Sequence, residues 1–282
     1  PIKSSAASDV YKRQQMRSLS LGFNQRRRRM HFTVTADTDI GIAKETNQDS
    51  VLFKHGTYSG GEVLMAVICD GMGGLAKGEL ASATVIREFS EWYNKELPYE
   101  LENLDLHVIG GKWSLMLKDL NIKIIEYAKK NNITMGTTFT GTLFVGDEYV
   151  TVHVGDTRLY HIGNKLEQLT YDQTFIAREI RKGTMTAEQA KTDKRRNMLL
   201  QCVGASEILE PEVLVEKVEK GAYMLCSDGF RHEITEKEIV ESLNPINLIN
   251  KNAMHSYAKY LIELVKQRNE RDNISVVLIK AE

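Results

Sequence analysis

Aspartates stand at the ends of several predicted strands, where carboxylates could hold metal ions. They are Asp49 at the start of DSVLF, Asp70 at the end of LMAVICD, Asp156 in the turn HVGDTR, Asp228 in YMLCSDG, and Asp272 directly before NISVVLI. Any one of them would be an ordinary turn or helix-cap residue, because an aspartate side chain bonds nearby backbone N–H groups. Five of them at strand ends predict a cluster, since strands that end at one edge bring distant residues together.

Unpaired carboxylates in a cluster repel each other strongly, and divalent cations relieve that repulsion. Oxygen ligands suit hard ions such as Mg²⁺ or Mn²⁺ rather than zinc. The glycine after Asp70, Gly71, lets a backbone carbonyl approach an ion without a side chain in the way. A two-ion carboxylate site can hold a bridging water, lower its pKa and direct it at phosphorus while neutralising phosphate charge. The pattern therefore indicates phosphoester hydrolysis.

Apolar runs and alternation predict the elements that must position these acids. Strands are predicted at residues 31–42, 49–54, 62–69, 136–145, 149–154, 158–162, 165–169, 213–218, 222–226 and 273–279. Short turns containing Gly with Asp or Asn join the middle strands into a hairpin meander. Apolar spacings of three and four predict helices with inward faces at Leu80, Ala83, Ile86, Phe89 and Tyr93, at Met116, Leu120, Ile124 and Tyr127, and at Met254, Tyr257, Leu261 and Leu264.

Strands and helices come in blocks rather than in strict alternation. This order favours an α+β fold with antiparallel sheets over a doubly wound parallel sheet. One domain is predicted over residues 31–282. Residues 1–30 lack apolar periodicity and are interpreted as a disordered basic tail or as non-native sequence, with a nucleic-acid- or lipid-binding arm at 26–29 as the weaker alternative.

Charge and cysteine content exclude several classes of protein. The 282-residue chain has a formal net charge of −1, with +7 on residues 1–30 and therefore −8 on the rest, so the domain is not a general nucleic-acid binder. The scattered Cys69, Cys202 and Cys226 form neither a disulfide framework nor a zinc site, which indicates a reducing compartment. No apolar run is long enough to span a bilayer or to serve as a secretion signal, so we expect a cytoplasmic protein.

Two other phosphate-binding schemes fit less well. A cysteine phosphatase needs a longer spacing between its Cys and Arg than the four residues between Cys226 and Arg231. The spacing of Gly71, Gly73 and Ala76 nominally fits a dinucleotide-binding turn, but the acids about twenty positions further on fall on a predicted helix. In that arrangement Asp70 would also face a pyrophosphate of the same charge.

Six strings of the chain occur in an order that is typical of one enzyme family. They are TDIGIAKETNQDS, VICDGMGG, GTTFTGTLF, VHVGDTRLY, MLCSDGF and RDNISVVLI, and the stretch 169–205 adds to them. Over residues 31–282 the chain resembles the bacterial members of the metal-dependent protein phosphatases, the protein phosphatase 2C family. The resemblance implies a four-layer α/β/β/α sandwich of two antiparallel β-sheets flanked by helices. It also implies Mn²⁺- or Mg²⁺-dependent hydrolysis of phosphoserine and phosphothreonine in proteins, opposing a Ser/Thr kinase.

The resemblance also implies roles for single residues. The metal ligands, carried over by motif, are Asp70 between two ions, Asp228 and Asp272 on one ion, the Gly71 carbonyl and Asp49 on the other, and Asp156 on a third, weaker ion. A hydroxide bridging the two ions would attack phosphorus in line with the leaving serine or threonine oxygen, without a covalent enzyme intermediate. Phosphorylated proteins and a cognate kinase are the implied partners, and a monomer is expected.

Three positions depart from the family pattern. Lys44 stands where an arginine usually grips the substrate phosphate, and it keeps the charge without the bidentate fork, so weaker phosphate binding is expected. Gln48 replaces a glutamate that binds metal in many members, so Asp49 must provide more of the metal binding. Met72 replaces a histidine that serves as a proposed general acid in many eukaryotic members. Asp70, Asp49 and Lys44 are the predicted catalytic residues. The departures keep one alternative open, a catalytically weak or inactive binding or regulatory module.

Residues 171–200 correspond in the family to a mobile flap beside the active site. The stretch is rich in basic residues, namely Arg178, Arg181, Lys182, Lys191, Lys194, Arg195 and Arg196. These residues could steer a phosphoprotein toward the site, or they could form the solvated face of a helix.

Overall fold

Two five-stranded antiparallel sheets lie at the centre of the described part of the chain, residues 30–72 and 77–282 of a computed structural model. The strands are β1 (Phe32–Asp39), β2 (Ser50–Tyr58), β3 (Gly61–Cys69), β4 (Gly71–Met72), β5 (Gly136–Thr137), β6 (Phe139–Val145), β7 (Glu148–Val154), β8 (Arg158–Ile162), β9 (Leu166–Gln168), β10 (Glu212–Lys217), β11 (Gly221–Cys226) and β12 (Ile274–Ala281). The first sheet has the order β1-β12-β11-β8-β9 and the second β10-β7-β6-β3-β2, while β4 pairs with β5 in a short ribbon.

The structure describes eight helices in residues 30–72 and 77–282, and most of them cover the outer faces of the sheets. They are α1 (Gly78–Lys95), α2 (Leu97–Glu100), α3 (Leu106–Asn131), α4 (Phe175–Arg181), α5 (Ala187–Thr192), α6 (Asp228–Arg231), α7 (Glu236–Ser242) and α8 (Lys251–Gln267). Apolar residues of α1 and α3 pack on the second sheet, and those of α6, α7 and α8 pack on the first. The result is the four-layer α/β/β/α sandwich that the family resemblance implies.

The inner layer of the sandwich follows from alternation along each strand. In β3, Leu64 and Ile68 face the first sheet and are fully buried there, while Met65 between them faces the helices. Phe144 of the second sheet meets Tyr223 of the first with ring centroids 5.1 Å apart. Burying this apolar surface between the sheets is the main term that holds them together.

Strand register brings the five aspartates to one end of the sandwich. At this end, Asp39 of β1 pairs with Ile274 of β12, and Cys226 of β11 pairs with both Val276 and Arg158. In the second sheet, Cys69 of β3 pairs at the same end with Ser50, which directly follows Asp49. Segments that are far apart in sequence therefore start or stop at one place.

The predicted strands are found, with differences at their ends. The strand predicted at 31–42 stops at Asp39, because Gly41 takes a left-handed conformation with φ +78° and turns the chain. Its backbone packs so close to the Asp272 carbonyl oxygen that an added Cβ would lie 2.3 Å from it. The strand predicted at 136–145 breaks at Thr138, whose N–H donates to the Asp70 carbonyl.

The predicted helices are found, but their inward faces are partly wrong. In α1 the buried side chains include Ala81, Val85, Phe89 and Trp92, whereas Ala83 is exposed. In α3 Tyr127 is 46% exposed, and Trp113 is buried instead. Both helices carry apolar residues around more than one face, so spacing alone does not decide which face meets the sheet.

The predicted tail, residues 1–30, lies outside the described residues except for Met30, which is buried with Phe32 between the sheets. Among the helices that the structure describes, none combines the length and apolarity needed to cross a membrane.

Candidate active site

The carboxylates at the strand ends lie close enough together for their charges to raise the pKa values of Asp49, Asp70 and Asp156. Burial raises the pKa of Asp70 well above its ordinary value, and the negative charges of Asp49 and Asp228 raise it further. Burial also raises the pKa of Asp49 to about 7, with the charges of Asp228 and Asp272 adding to it. Burial and the charge of Asp228 likewise raise the pKa of Asp156 to about 7. The structure therefore brings all five predicted aspartates into one electrostatic cluster.

Some of these carboxylate oxygens are buried without a hydrogen bond. Both oxygens of Asp49 and Oδ1 of Asp228 are in this state. The hydroxyls of Ser275 and Ser227 lie near enough to Asp49 to lower its pKa, but neither meets the geometry of a hydrogen bond to its oxygens. Ser227 Oγ accepts from the Ser275 N–H at 3.0 Å, and Ser275 Oγ pairs with Thr38 Oγ1 at 2.8 Å. Buried carboxylate oxygens without partners are costly, and cations would satisfy them.

The donor set suits a hard ion that takes few ligands from the protein. Within residues 30–72 and 77–282, no three His, Cys, Asp or Glu side chains lie close enough to hold a single ion. Mg²⁺ usually keeps several waters and takes only one or two carboxylates. Oxygen donors with unpaired buried atoms fit that requirement, so the residues present fit the implied ions. The assignment of Asp70, Asp228 and Asp272 to one ion remains a prediction.

Backbone packing fixes the position of Asp70 and Gly71. An added Cβ on Gly71 would lie 2.4 Å from the carbonyl oxygens of Gln48 and Gly78, so only glycine fits there. The Asp70 N–H donates to Thr138 Oγ1 at 2.9 Å, and the Asp70 carbonyl accepts from the Thr138 N–H at 2.9 Å. The Gly71 N–H donates to the Gln48 carbonyl at 3.2 Å. Gln48 thus supports Gly71 through its backbone.

Asn273 attaches the loop at residues 40–49 to the start of β12. Its Nδ2 donates to the carbonyls of Ile40 at 2.9 Å and Thr46 at 3.2 Å, and its Oδ1 accepts from the Gln48 N–H at 2.9 Å. Because this loop carries Lys44 and Asp49, Asn273 determines where both side chains begin. The sequence places Asn273 in a motif, but no local pattern predicts these three bonds.

Lys44 reaches the cluster of aspartates. Its Nζ lies 2.7 Å from Asp272 Oδ1, and its side chain is 40% exposed. Burial acts to lower the pKa of Lys44, but the hydrogen bond to Asp272 and the charges of Asp70 and Asp228 outweigh it, so the pKa is raised. Lys44 is therefore a solvent-accessible cation that lies beside the carboxylates.

Arg231 links the turn that carries Asp156 to neighbouring segments. Its Nη2 donates to the Asp156 carbonyl at 3.2 Å and lies 3.8 Å from Asp172 Oδ2. Asp172 forms a two-pronged ion pair with Arg158, with distances of 2.7 and 2.6 Å. In the sequence Arg231 stands out only by its spacing from Cys226, and its bond to the Asp156 turn was not predicted. Its position three residues after Asp228 was the available signal.

Residues 171–200 are anchored beside the Asp156 turn. The Gln173 N–H donates to the Gly155 carbonyl at 2.7 Å, and the Gly155 N–H donates to Gln173 Oε1 at 3.0 Å. Within this stretch, Arg178, Lys191 and Arg195 form ion pairs with neighbouring acids. Part of the basic charge of this stretch is therefore neutralised locally.

The cysteines are unsuited to nucleophilic chemistry. All three are buried and free. Burial raises the pKa of Cys226 to about 12 and that of Cys69 well above its ordinary value. A thiolate at neutral pH is therefore disfavoured, which agrees with the exclusion of a cysteine phosphatase.

Comparisons with known proteins agree on one family. The family model for protein phosphatase 2C matches residues 42–276. The serine/threonine protein phosphatase PstP of Mycobacterium tuberculosis is 31% identical over 246 residues, which cover 86% of this chain but 44% of that protein. The chain thus spans less than half the length of this curated relative.

Solved structures extend the comparison to the fold. The serine/threonine phosphatase Stp1 from Staphylococcus aureus aligns with a TM-score of 0.77 at 26% identity, covering 89% of this chain and 96% of that chain. The catalytic domain of PstP, crystallised with two manganese ions, aligns with a TM-score of 0.71 at 28% identity, covering 89% of this chain and 99% of that chain.

Proposed function

The chain belongs to the protein phosphatase 2C family, and we propose that it hydrolyses phosphoserine and phosphothreonine in proteins with bound Mn²⁺ or Mg²⁺. The observation that carries the proposal is the cluster of five aspartates at one end of the sandwich, with buried oxygens of Asp49 and Asp228 that make no hydrogen bond. The proposed donors of this cluster are oxygen atoms, which suit a hard divalent ion.

Each aspartate has a proposed place around the ions. As the family resemblance implies, Asp70 would contribute to two ions, Asp228 and Asp272 to one of them, the Gly71 carbonyl and Asp49 to the other, and Asp156 to a third, weaker ion. When bound, the ions supply an activated water and neutralise the charge on the phosphoryl group. The chain itself fixes these donors through the Asn273 bonds and the close packing at Gly71.

Lys44 is proposed as the group that binds the substrate phosphate. Its ammonium is partly exposed and already lies on a carboxylate at 2.7 Å. An arriving phosphate dianion would compete with Asp272 for that ammonium. A lysine gives a point charge rather than a planar fork, so phosphate binding should be weaker than with an arginine.

A groove beside the site has room for a polypeptide. It has a volume of about 700 Å³, and its lining includes Met72, Leu200 and Ile208. Met72 directly follows Gly71, so the groove begins next to a proposed metal ligand. Leu200 is 38% exposed and Ile208 is 73% exposed. These features support a protein substrate whose residues beside the phosphorylated one lie in this groove.

The proposed setting is the cytoplasm, where the enzyme would oppose a Ser/Thr kinase. The buried free thiols are consistent with a reducing compartment. We also propose that the catalytic domain acts as a monomer.

The test is phosphate release from a phosphothreonine peptide by EDTA-stripped protein, with and without added Mn²⁺. Release that requires Mn²⁺ and survives a thiol alkylator supports the proposal. Asp70→Asn should abolish this release without changing the far-UV circular dichroism. If Mn²⁺ binds but no phosphate is released, the chain is a binding module of the phosphatase fold, and Lys44 and Gln48 become the residues to replace first.

A further inference from the structure

Glu270 is a buried acid next to the candidate site, and it is not one of the proposed metal ligands. It is only 6% exposed and lies between the end of α8 and the start of β12. Its Oε1 accepts hydrogen bonds from the N–H groups of Arg271 at 2.7 Å and Asp272 at 2.8 Å. Glu270 therefore holds the backbone from which the Asp272 side chain projects.

The second oxygen of Glu270 connects to a different metal-ligand candidate. Oε2 lies 3.4 Å from His232 Nδ1, and His232 Nε2 lies 3.6 Å from Asp228 Oδ2. The imidazole thus stands between the two carboxylates. The other oxygen of Asp228, Oδ1, is buried and makes no hydrogen bond. Contact with His232 at Oδ2 leaves Oδ1 as the atom free to bind an ion.

A simple loop cap would not need this second contact. The two backbone bonds at Oε1 already satisfy the loop at residues 271–272. The contact at Oε2 reaches His232, which follows α6 on another segment of the chain. The buried Glu270 carboxylate is therefore linked to two aspartates from different elements. It accepts from the Asp272 N–H directly, and it reaches Asp228 through His232.

We propose that Glu270 and His232 are positioning residues that hold Asp272 and Asp228 in the arrangement that binds the divalent ion. The inference rests on the proposed function, because it assumes that these aspartates are metal ligands. Groups that orient metal ligands commonly change metal affinity by about 10- to 100-fold when they are replaced. Such an effect on affinity is separable from an effect on folding.

The test measures Mn²⁺ binding by isothermal titration calorimetry on EDTA-stripped protein, at a temperature well below unfolding. Glu270→Ala removes both contacts and should weaken Mn²⁺ binding by up to about 100-fold. Glu270→Gln keeps an oxygen for the two N–H groups but loses the charge opposite His232, so it should weaken binding by about tenfold. The control is Glu263→Gln on α8, an exposed acid paired with Lys266, which should leave Mn²⁺ affinity unchanged.

A double variant tests whether Glu270 acts on Asp228 through His232. Glu270→Gln and His232→Gln break the same link, so each should weaken Mn²⁺ binding by a similar factor. The double variant should then be no weaker than either single one. Multiplied losses would show independent effects and overturn the linked arrangement.

Other outcomes are equally decisive. If Glu270→Ala binds Mn²⁺ as the unmodified protein does, the positioning role is wrong, even if the variant unfolds at a lower temperature. If Glu270→Ala does not fold, Glu270→Gln and His232→Gln decide in the same way. Failure of the unmodified protein to bind Mn²⁺ would refute the proposed metal centre itself, and the inference with it.

Discussion

Replacing Asn273 with alanine should loosen the loop at residues 40–49 and weaken the whole domain. Asn273 is 3% exposed. Its side chain makes three hydrogen bonds to this loop, to Ile40, Thr46 and Gln48. Alanine would break all three bonds and leave their backbone partners without the amide.

The size of the effect follows from the number of bonds. Each hydrogen bond contributes about 1 kcal/mol net, so the free energy of unfolding should fall by about 3 kcal/mol. Ile40 and Thr46 are exposed residues, so a loosened loop can turn their carbonyls toward water, which keeps the loss from growing larger. With a urea m-value of about 3 kcal/mol/M, a loss of this size lowers the unfolding midpoint by about 1 M.

The assay is urea unfolding of EDTA-stripped protein, followed by circular dichroism. The matched control is Asn131→Ala, which removes one exposed bond to the Tyr127 carbonyl at 2.8 Å and should change the midpoint far less. Because the loop carries Lys44 and Asp49, Asn273→Ala should also lower kcat/KM for a phosphopeptide, by up to about 100-fold. A midpoint shift no larger than that of the control would refute the role assigned to Asn273.

Four further predictions concern single residues. Asp228→Asn should abolish phosphopeptide turnover and weaken Mn²⁺ binding with the fold intact; near-normal activity would remove Asp228 from the metal site. Lys44→Arg should lower KM for a phosphopeptide, because a guanidinium binds phosphate in a bidentate manner, and an unchanged or higher KM would contradict this role. Burial lowers the pKa of His153 to about 4. As the pH falls from 6.5 to 4, His153 should therefore become protonated in the unfolded chain before it does in the folded one, which lowers the free energy of unfolding by up to about 3 kcal/mol. In urea titrations across that pH range, His153→Gln should lose this contribution to the pH dependence of stability. An unaltered pH dependence in the variant would count against the role of His153. Ile208→Ser should lower kcat/KM for a phosphopeptide but not for p-nitrophenyl phosphate. The control Ile246→Ser, at a position that is 82% exposed, should change neither value. Equal losses on both substrates for Ile208→Ser would show that the groove does not bind the peptide.

Local patterns were enough to predict the strands and the class of fold. Alternation sorts the side chains of β3 into two sets, because successive residues of a strand face opposite sides. Leu64 and Ile68 lie in the inter-sheet core, and Met65 lies under the helices. Spacing was less informative for α1, where Ala83 was predicted to be inward but is exposed. A helix with apolar residues on several faces takes its orientation from the surface against which it packs.

The acids of the site could be found from the sequence because each one stands at the end of an apolar run. That position alone predicts that a carboxylate lies at the edge of a sheet. It does not say which edges meet, and the order of the strands in the two sheets decided that. Family motifs supplied the roles, and the structure supplied the shared electrostatic field of Asp49, Asp70 and Asp228.

The sequence by itself determined the strands, the antiparallel α+β class, the oxygen donors at strand ends and, through its motifs, the family. Only the tertiary structure determined what holds those donors in place. Asn273 and Gln48 are 225 positions apart and share a hydrogen bond, while His232 reaches Glu270 from the turn after α6. Such contacts depend on how the sheets and helices pack against one another. The spacing of residues in the sequence reveals only the periodicity within a single helix or strand.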